Sequence, residues 1–301
     1  MAVLFLSEAD PVDAWRDALL AEMPDLDFRV WPDQVGDPAE IDIAMVWRPP
    51  PGELARFPNL KAVLSLGAGI DSMIADPTLP DLPLARMVDP SITNTMADYI
   101  PLAVLRHHRQ FDLFEREQRA GRWTFALPKR AEDRTVGILG LGELGAAAAL
   151  KLREQGFLVR GWSRSEKSID GITSFHGQDQ LGAFLAEAEI LVCLLPLTAD
   201  TAGMLNARLF AALPKNACVI NAARGRHLVE SDLLHALDQG HLAGATLDVF
   251  ETEPLPEGSP LWRHDRVLIT PHIASYCVPA TAAKGIVDNI KRARSGQPLH
   301  H

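Results

Sequence analysis

The sequence predicts an α/β protein made of two doubly wound parallel-sheet domains. Three observations carry that reading. Short apolar runs alternate with helical patterns along the chain, and such alternation builds parallel sheets covered by helices. The run Val136–Leu139 ends in Gly140-x-Gly142-x-x-Gly145 and passes at once into an alanine-rich helical pattern from Ala146. The length of 301 residues, with 47% hydrophobic content, supplies more core than a single domain usually organises.

The first strand is read over residues 2–7. This apolar start is too short for a secretory leader, has no basic lead, and runs directly into Glu8 and Asp10, so no leader is expected. Pro11 to Met23 has helical apolar spacing (Val12, Trp15, Leu19, Leu20), with Asp10 placed as a cap. Strands follow at Phe28–Trp31, Ile41–Trp47, Ala62–Leu66 and Leu84–Val88. One long helix is predicted from Thr95 to Ala120, closed by Gly121, with Pro101 in its first turns, where proline is tolerated best.

A second series starts at Arg134. Its six predicted strands are Val136–Leu139, Leu158–Trp162, Ile190–Leu195, Cys218–Asn221, Ala245–Val249 and Val267–Thr270. That pattern fits a Rossmann nucleotide-binding domain over 95–272. The closing helix, Pro279–Ser295, is assigned back to the first, flavodoxin-like domain, which then comprises 1–94 and 273–301.

The formal charge is −10 and no basic stripe is present, which argues against nucleic-acid and anionic-membrane partners. No apolar run reaches membrane-spanning length. Three cysteines without close spacing argue against a disulfide framework and against a metal site. They read as core thiols of a cytoplasmic protein.

In the glycine motif, Gly140 permits a tight turn, Gly142 lets the backbone approach a pyrophosphate, and Gly145 lets helix pack on strand. A glycine motif on its own also fits a plain turn. Roughly 20 residues on, where an acid would meet the ribose hydroxyl of NAD, the chain has Ser163-Arg164-Ser165, with Lys167 nearby. Arg164 offers a fork of donors for a phosphate, which favours NADP(H) and leaves NAD(H) possible; the alternative is an ordinary solvated arginine. The Gly67-Ala68-Gly69 loop offers consecutive N–H groups as an anion nest, or else a plain turn at the start of a helix.

In open α/β sheets ligands bind beyond the C-terminal strand ends. Three such ends here carry Arg224, Glu253 and His272. The motifs Gly140–Gly145, Trp162-Ser163-Arg164-Ser165, Asn221–Gly225, Leu247-Asp248-Val249-Phe250 with Glu253-Pro254, Ser259-Pro260-Leu261-Trp262 and Thr270-Pro271-His272 all stand in one order. With the Leu66–Asp71 loop and Met96-Ala97-Asp98-Tyr99, they make the chain resemble the D-isomer-specific 2-hydroxyacid dehydrogenases over nearly its whole length. Within that family it is similar to the short bacterial members that reduce glyoxylate and hydroxypyruvate with NADPH. Asp98 departs from the Glu that many members carry, and many members continue past the final helix.

The resemblance implies hydride transfer to the carbonyl of a small 2-oxo acid. His272 is then the proton donor, Glu253 the carboxylate that holds it charged, and Arg224 the group that forks onto the substrate. Taken singly, each has a bland reading: a core histidine, a solvated loop acid, a structural ion pair. Ala68 and Gly69 bind the substrate carboxylate, and Trp47 and Met96 wall the substrate or are core. Asp248 meets the nicotinamide carboxamide or caps a turn. Leu144, Leu195, Pro196, Thr198, Ala222 and Ala223 line the cofactor, beside Arg224 and His272. Family members form homodimers through the cofactor domain, and the predicted long helix with Trp123-Thr124-Phe125 is the candidate surface. Two other readings stay open: an NADH enzyme acting on another 2-oxo acid, and a nucleotide-sensing, non-enzymatic corepressor-like protein.

Overall fold

A computed structural model describes residues 1–300, so His301, the last residue of the predicted first domain, lies outside the described residues. The chain forms two compact units, Met1–Ile92 with Tyr276–His301, and Thr93–Ser275. The strands of both are parallel.

The first unit contains β1 (Ala2–Leu6), α1 (Val12–Glu22), β2 (Phe28–Val30), β3 (Ile41–Val46), β4 (Ala62–Ser65), α2 (Asp71–Ile74) and β5 (Leu84–Ala85). Its sheet order is β2-β1-β3-β4-β5, the flavodoxin-like order. Every residue of β1, β3 and β4 is buried, which explains why these strands read as apolar runs without alternation. The closing helix, Pro279–Arg294, belongs to this unit and packs against α1. Its Arg294 grips Asp42 of β3 through Nε and Nη2, both at 2.9 Å.

The second unit carries α3 (Pro90–His108, which begins just before the boundary), α4 (Phe111–Arg119), β6 (Thr135–Leu139), α5 (Glu143–Glu154), β7 (Leu158–Ser163), β8 (Thr173–His176), α6 (Gly177–Leu185), β9 (Ile190–Cys193), α7 (Ala207–Ala212), β10 (Ala217–Asn221), α8 (Glu230–Asp238), β11 (Leu242–Leu247) and β12 (Val267–Ile269). The sheet order is β12-β11-β10-β9-β6-β7-β8, a Rossmann order extended by one strand. It reverses direction at β6 and β9, and the glycine motif follows β6. Phe184, Phe210, Leu233 and Leu237 pack one core cluster of this unit, and Ile100, Val104, Ala148 and Leu152 pack another.

Three expectations are corrected here. The single helix over 95–120 is two helices, because Gln110 adopts a left-handed conformation (φ 57°) and breaks the ladder. The first of them starts at Pro90, where Asp89 accepts from the Ser91 N–H at 2.9 Å, so Pro101 stands mid-helix rather than in the first turns. The cofactor-type sheet has seven strands, not six. The missed one, β8, is a short edge strand with no fully buried residue, and so it lacks the apolar run by which the others were recognised. Among the described residues no helix is long and apolar enough to cross a membrane.

Candidate active site

The glycine motif forms a cradle. Gly140 has φ +102°, and a Cβ there would come within 2.7 Å of the Leu194 carbonyl oxygen. A Cβ on Gly145 would overlap the Gly140 carbonyl, so α5 meets the β6 turn backbone to backbone. Gly142 caps α5 and faces open space, where a side chain would intrude on any bound group. The unsatisfied N–H groups of this helix start favour an anion.

The cradle opens into a cleft of about 1030 Å³ lined by Gly142, Ser163, Arg164, Lys167, Leu195 and Thr198, among others. The end of β7 presents no carboxylate to this cleft; Arg164 and Ser165 are exposed there. Ser163 is buried and donates its hydroxyl to the Ser165 carbonyl at 2.7 Å, so it shapes the turn. Leu195 lines the cleft as part of the core, Thr198 is exposed, and Pro196 accepts from the Thr201 hydroxyl at 2.7 Å. Ala222 and Ala223 are buried after β10, and Leu144 is half-buried in the first turn of α5. The size of the cleft, the open glycine and the cationic rim suit a phosphorylated dinucleotide.

Three loops after β10, β11 and β12 carry the polar residues. In the first, Asn221 folds over its own turn, accepting from Ala223 N–H at 3.2 Å and donating to the Arg224 carbonyl at 3.0 Å. Arg224 donates through Nη1 to the Ala223 carbonyl at 2.7 Å. His227, fully buried, accepts the Arg224 N–H on Nδ1 at 3.2 Å and faces the Pro196 carbonyl through Nε2 at 3.3 Å. Its Nδ1 also lies 3.1 Å from the Arg224 carbonyl, so the ring is packed against both ends of that residue's backbone.

In the second and third loops His272 Nδ1 donates to Glu253 Oε2 at 2.8 Å, while Phe250 N–H donates to Glu253 Oε1 at 2.8 Å. Both carboxylate oxygens are therefore held, and the imidazole is fixed through Nδ1. The two side chains are only 21% and 10% exposed, so the pair is shielded from bulk water. His272 lies in the left-handed region at φ 56°.

Asp248, at 1% exposure, organises the third loop. Its carbonyl accepts the His272 N–H at 2.8 Å. Its Oδ1 accepts Ile273 N–H at 2.9 Å and the Thr270 hydroxyl at 2.6 Å, and its Oδ2 accepts Ala274 N–H at 2.9 Å. Asp248 N–H in turn donates to Asn221 O at 3.0 Å, linking this loop to that of Arg224. A Cβ on Gly225 would overlap the Phe250 backbone, so the first two loops are in direct contact. The structure thus brings Arg224, Glu253, His272 and Asp248 into one connected group.

In the first unit, Trp47 directly follows β3, with the Arg48 guanidinium 5.7 Å from its ring centroid. Gly67 N–H donates to Ser65 Oγ at 3.1 Å, whereas Ala68 and Gly69 N–H have no hydrogen bond among the described residues. Met96 belongs to the second unit, where it is 3% exposed within the core. Sequence reasoning missed His227 and the part played by Thr270 and Tyr99. The spacing Asn221-x-x-Arg224-x-x-His227 was the available signal for His227.

A family model described as the D-isomer specific 2-hydroxyacid dehydrogenase, NAD binding domain matches residues 102–274. The glyoxylate/hydroxypyruvate reductase A of Serratia proteamaculans is 46% identical, over 99% of this chain and 96% of the relative. A D-isomer specific 2-hydroxyacid dehydrogenase from Xanthobacter autotrophicus Py2, solved in complex with NADPH and MES, is 51% identical with a TM-score of 0.90, covering 99% of this chain and 96% of that one. The NADPH-dependent glyoxylate/hydroxypyruvate reductase of Sinorhizobium meliloti, solved with NADP and sulfate, is 39% identical with a TM-score of 0.88, covering 100% of this chain and 98% of that one.

Proposed function

Because the chain belongs to the D-isomer specific 2-hydroxyacid dehydrogenase family, we propose that it reduces small 2-oxo acids, glyoxylate and hydroxypyruvate first among them, with NADPH. The observation that carries this reading is the shielded 2.8 Å pair of His272 and Glu253, in loops tied to that of Arg224.

NADPH, when bound, supplies the hydride that reduces the carbonyl carbon. His272 gives a proton from Nε2 to the carbonyl oxygen as negative charge develops there. Glu253 fixes the ring through its bond to Nδ1. Arg224 binds the substrate carboxylate with its guanidinium fork. Trp47, Ala68 and Gly69 are proposed as substrate contacts, with the two N–H groups serving as an anion nest, whereas the burial of Met96 favours its reading as core. Arg164 with Ser165 recognises the cofactor's 2′-phosphate, supported by the absence of an acid at the end of β7 and by the relatives solved with NADPH or NADP.

We further propose a homodimer formed through the second unit. Trp123, Phe125 and Leu127 are 101%, 82% and 78% exposed on one extended stretch, an apolar surface that a second copy would cover. Three free cysteines, two of them buried in strands, support a reducing, cytoplasmic setting.

The test is steady-state oxidation of NADPH and NADH with glyoxylate and hydroxypyruvate. Fast turnover with NADPH that collapses in His272→Ala, with NADPH binding kept, is the expected result. Normal turnover by His272→Ala overturns the assignment, and turnover with NADH alone overturns the role of Arg164.

A further inference from the structure

The loop that carries His272 has no regular secondary structure of its own. Three consecutive N–H groups, those of His272, Ile273 and Ala274, end on Asp248, the first on its carbonyl and the other two on its carboxylate. The His272 N–H also reaches the Thr270 carbonyl at 3.1 Å, and these bonds act together to hold His272 at φ 56°, a conformation that side chains with a Cβ avoid. Asp248 is itself constrained from the far side. Thr270 donates its hydroxyl proton to Asp248 Oδ1 at 2.6 Å. That proton is then committed, so at the 2.7 Å contact between Tyr99 Oη and Thr270 Oγ1 it is Tyr99 that donates. Burial pushes the Tyr99 phenol up to about 12, so the donor keeps its proton at any working pH. The result is a directional chain from α3 to the active loop.

We propose that Tyr99 and Thr270 are positioning residues for the reaction. They fix the Asp248 carboxylate so that it holds the 272–274 backbone with His272 facing Glu253. This inference rests on the proposed role of His272. Neither side chain touches substrate in this scheme, and both act through Asp248. A misplaced proton donor lowers the rate of the chemical step more than it weakens binding of substrate or cofactor.

The experiment compares Thr270→Val, Thr270→Ser and Tyr99→Phe in the full-length enzyme, with His272→Ala as a control. Thr270→Val keeps the shape but removes the hydroxyl, and kcat is expected to fall about 10- to 100-fold while the NADPH KM changes less than about 3-fold. Thr270→Ser restores the donor and should recover most of kcat. Tyr99→Phe should lose about 3- to 10-fold, because Thr270 keeps its bond to Asp248. Amide hydrogen exchange reads the same clamp without turnover: Ile273 and Ala274 should exchange faster in Thr270→Val and as wild type in Thr270→Ser. Wild-type kcat and exchange in Thr270→Val overturn the proposal, as does equal loss in the Val and Ser variants. A fully active His272→Ala enzyme instead removes the catalytic reading, and the exchange data then decide the clamp alone.

Discussion

The Trp47 ring lies directly on the Gly67 backbone: a Cβ at position 67 would overlap Cζ3 of the indole. The same glycine precedes the Ala68 and Gly69 N–H groups. Gly67→Ala must push the ring aside or shift the loop. The expected outcome is a rise of about 10-fold in KM for 2-oxo acids, equivalent to ~1.4 kcal/mol, with NADPH affinity unchanged. Steady-state kinetics with NADPH saturating checks it; an unchanged KM would separate Trp47 from the substrate.

Arg164 is exposed at the end of β7. A charge-assisted bond to a phosphate is worth about 1.5–3 kcal/mol, so Arg164→Ala should raise the NADPH KM by about 10- to 100-fold. The NADH KM should stay within about 2-fold, since NADH has no 2′-phosphate. Equal effects on the two cofactors would remove the phosphate contact.

The pair of Asp42 and Arg294 ties the closing helix to β3 with the carboxylate side chain only 2% exposed. Breaking such a pair leaves a buried charge without its partner and costs about 3–5 kcal/mol. Arg294→Ala should therefore lower the urea midpoint markedly. The double variant Asp42→Leu with Arg294→Met should recover much of the loss, because it leaves no charge buried.

His107 is 5% exposed in α3, with Nε2 on Thr246 Oγ1 at 2.9 Å. Burial pushes its imidazole down to about 4, partly offset by Asp112 and reinforced by Arg106. The ordinary value is 6.5, so between pH 6.5 and 4 the unfolded chain binds more protons than the folded one. The stabilisation is complete above pH 6.5 and is lost as pH falls towards 4, at about 1.4 kcal/mol per pH unit at most. His107→Gln should flatten that part of the stability profile, read by denaturant melts at pH 7, 6, 5 and 4.5. A parallel profile in both proteins would show that other groups set the acid limit.

The exposed Trp123 and Phe125 supply the fifth test. Sedimentation should give a dimer for the wild type and a shift towards monomer for the double substitution Trp123→Ser with Phe125→Ser, with the fold retained by circular dichroism. A wild-type monomer would overturn the proposed assembly.

Much of this molecule was legible in its sequence because buried parallel strands announce themselves as apolar runs. The strands beside the cofactor cleft follow that rule, and the glycine motif falls on β6 and α5. What escaped was structure decided by tertiary context. Gln110 looks like any helical residue, yet it takes a left-handed conformation that splits the predicted helix. The edge strand β8 has half-polar composition because it is covered on few sides. That Arg224, Glu253 and His272 fall in neighbouring loops could be read from their places after strand ends. The contact that backs Thr270 could not, because Tyr99 and Thr270 are 171 positions apart and meet only once the fold is formed.

Gly225 has an ordinary backbone conformation, and a survey of torsion angles would mark it as a safe place for alanine, a change that elsewhere adds about 0.4–1 kcal/mol by stiffening the unfolded chain. Here the missing methyl is what lets the loop of Arg224 rest on the Phe250–Glu251 peptide. The loop of Arg224 and the loop of Glu253 are consequently coupled like two jaws on one pin, and neither can be moved alone. An engineer wishing to reshape either loop would have to redesign both together.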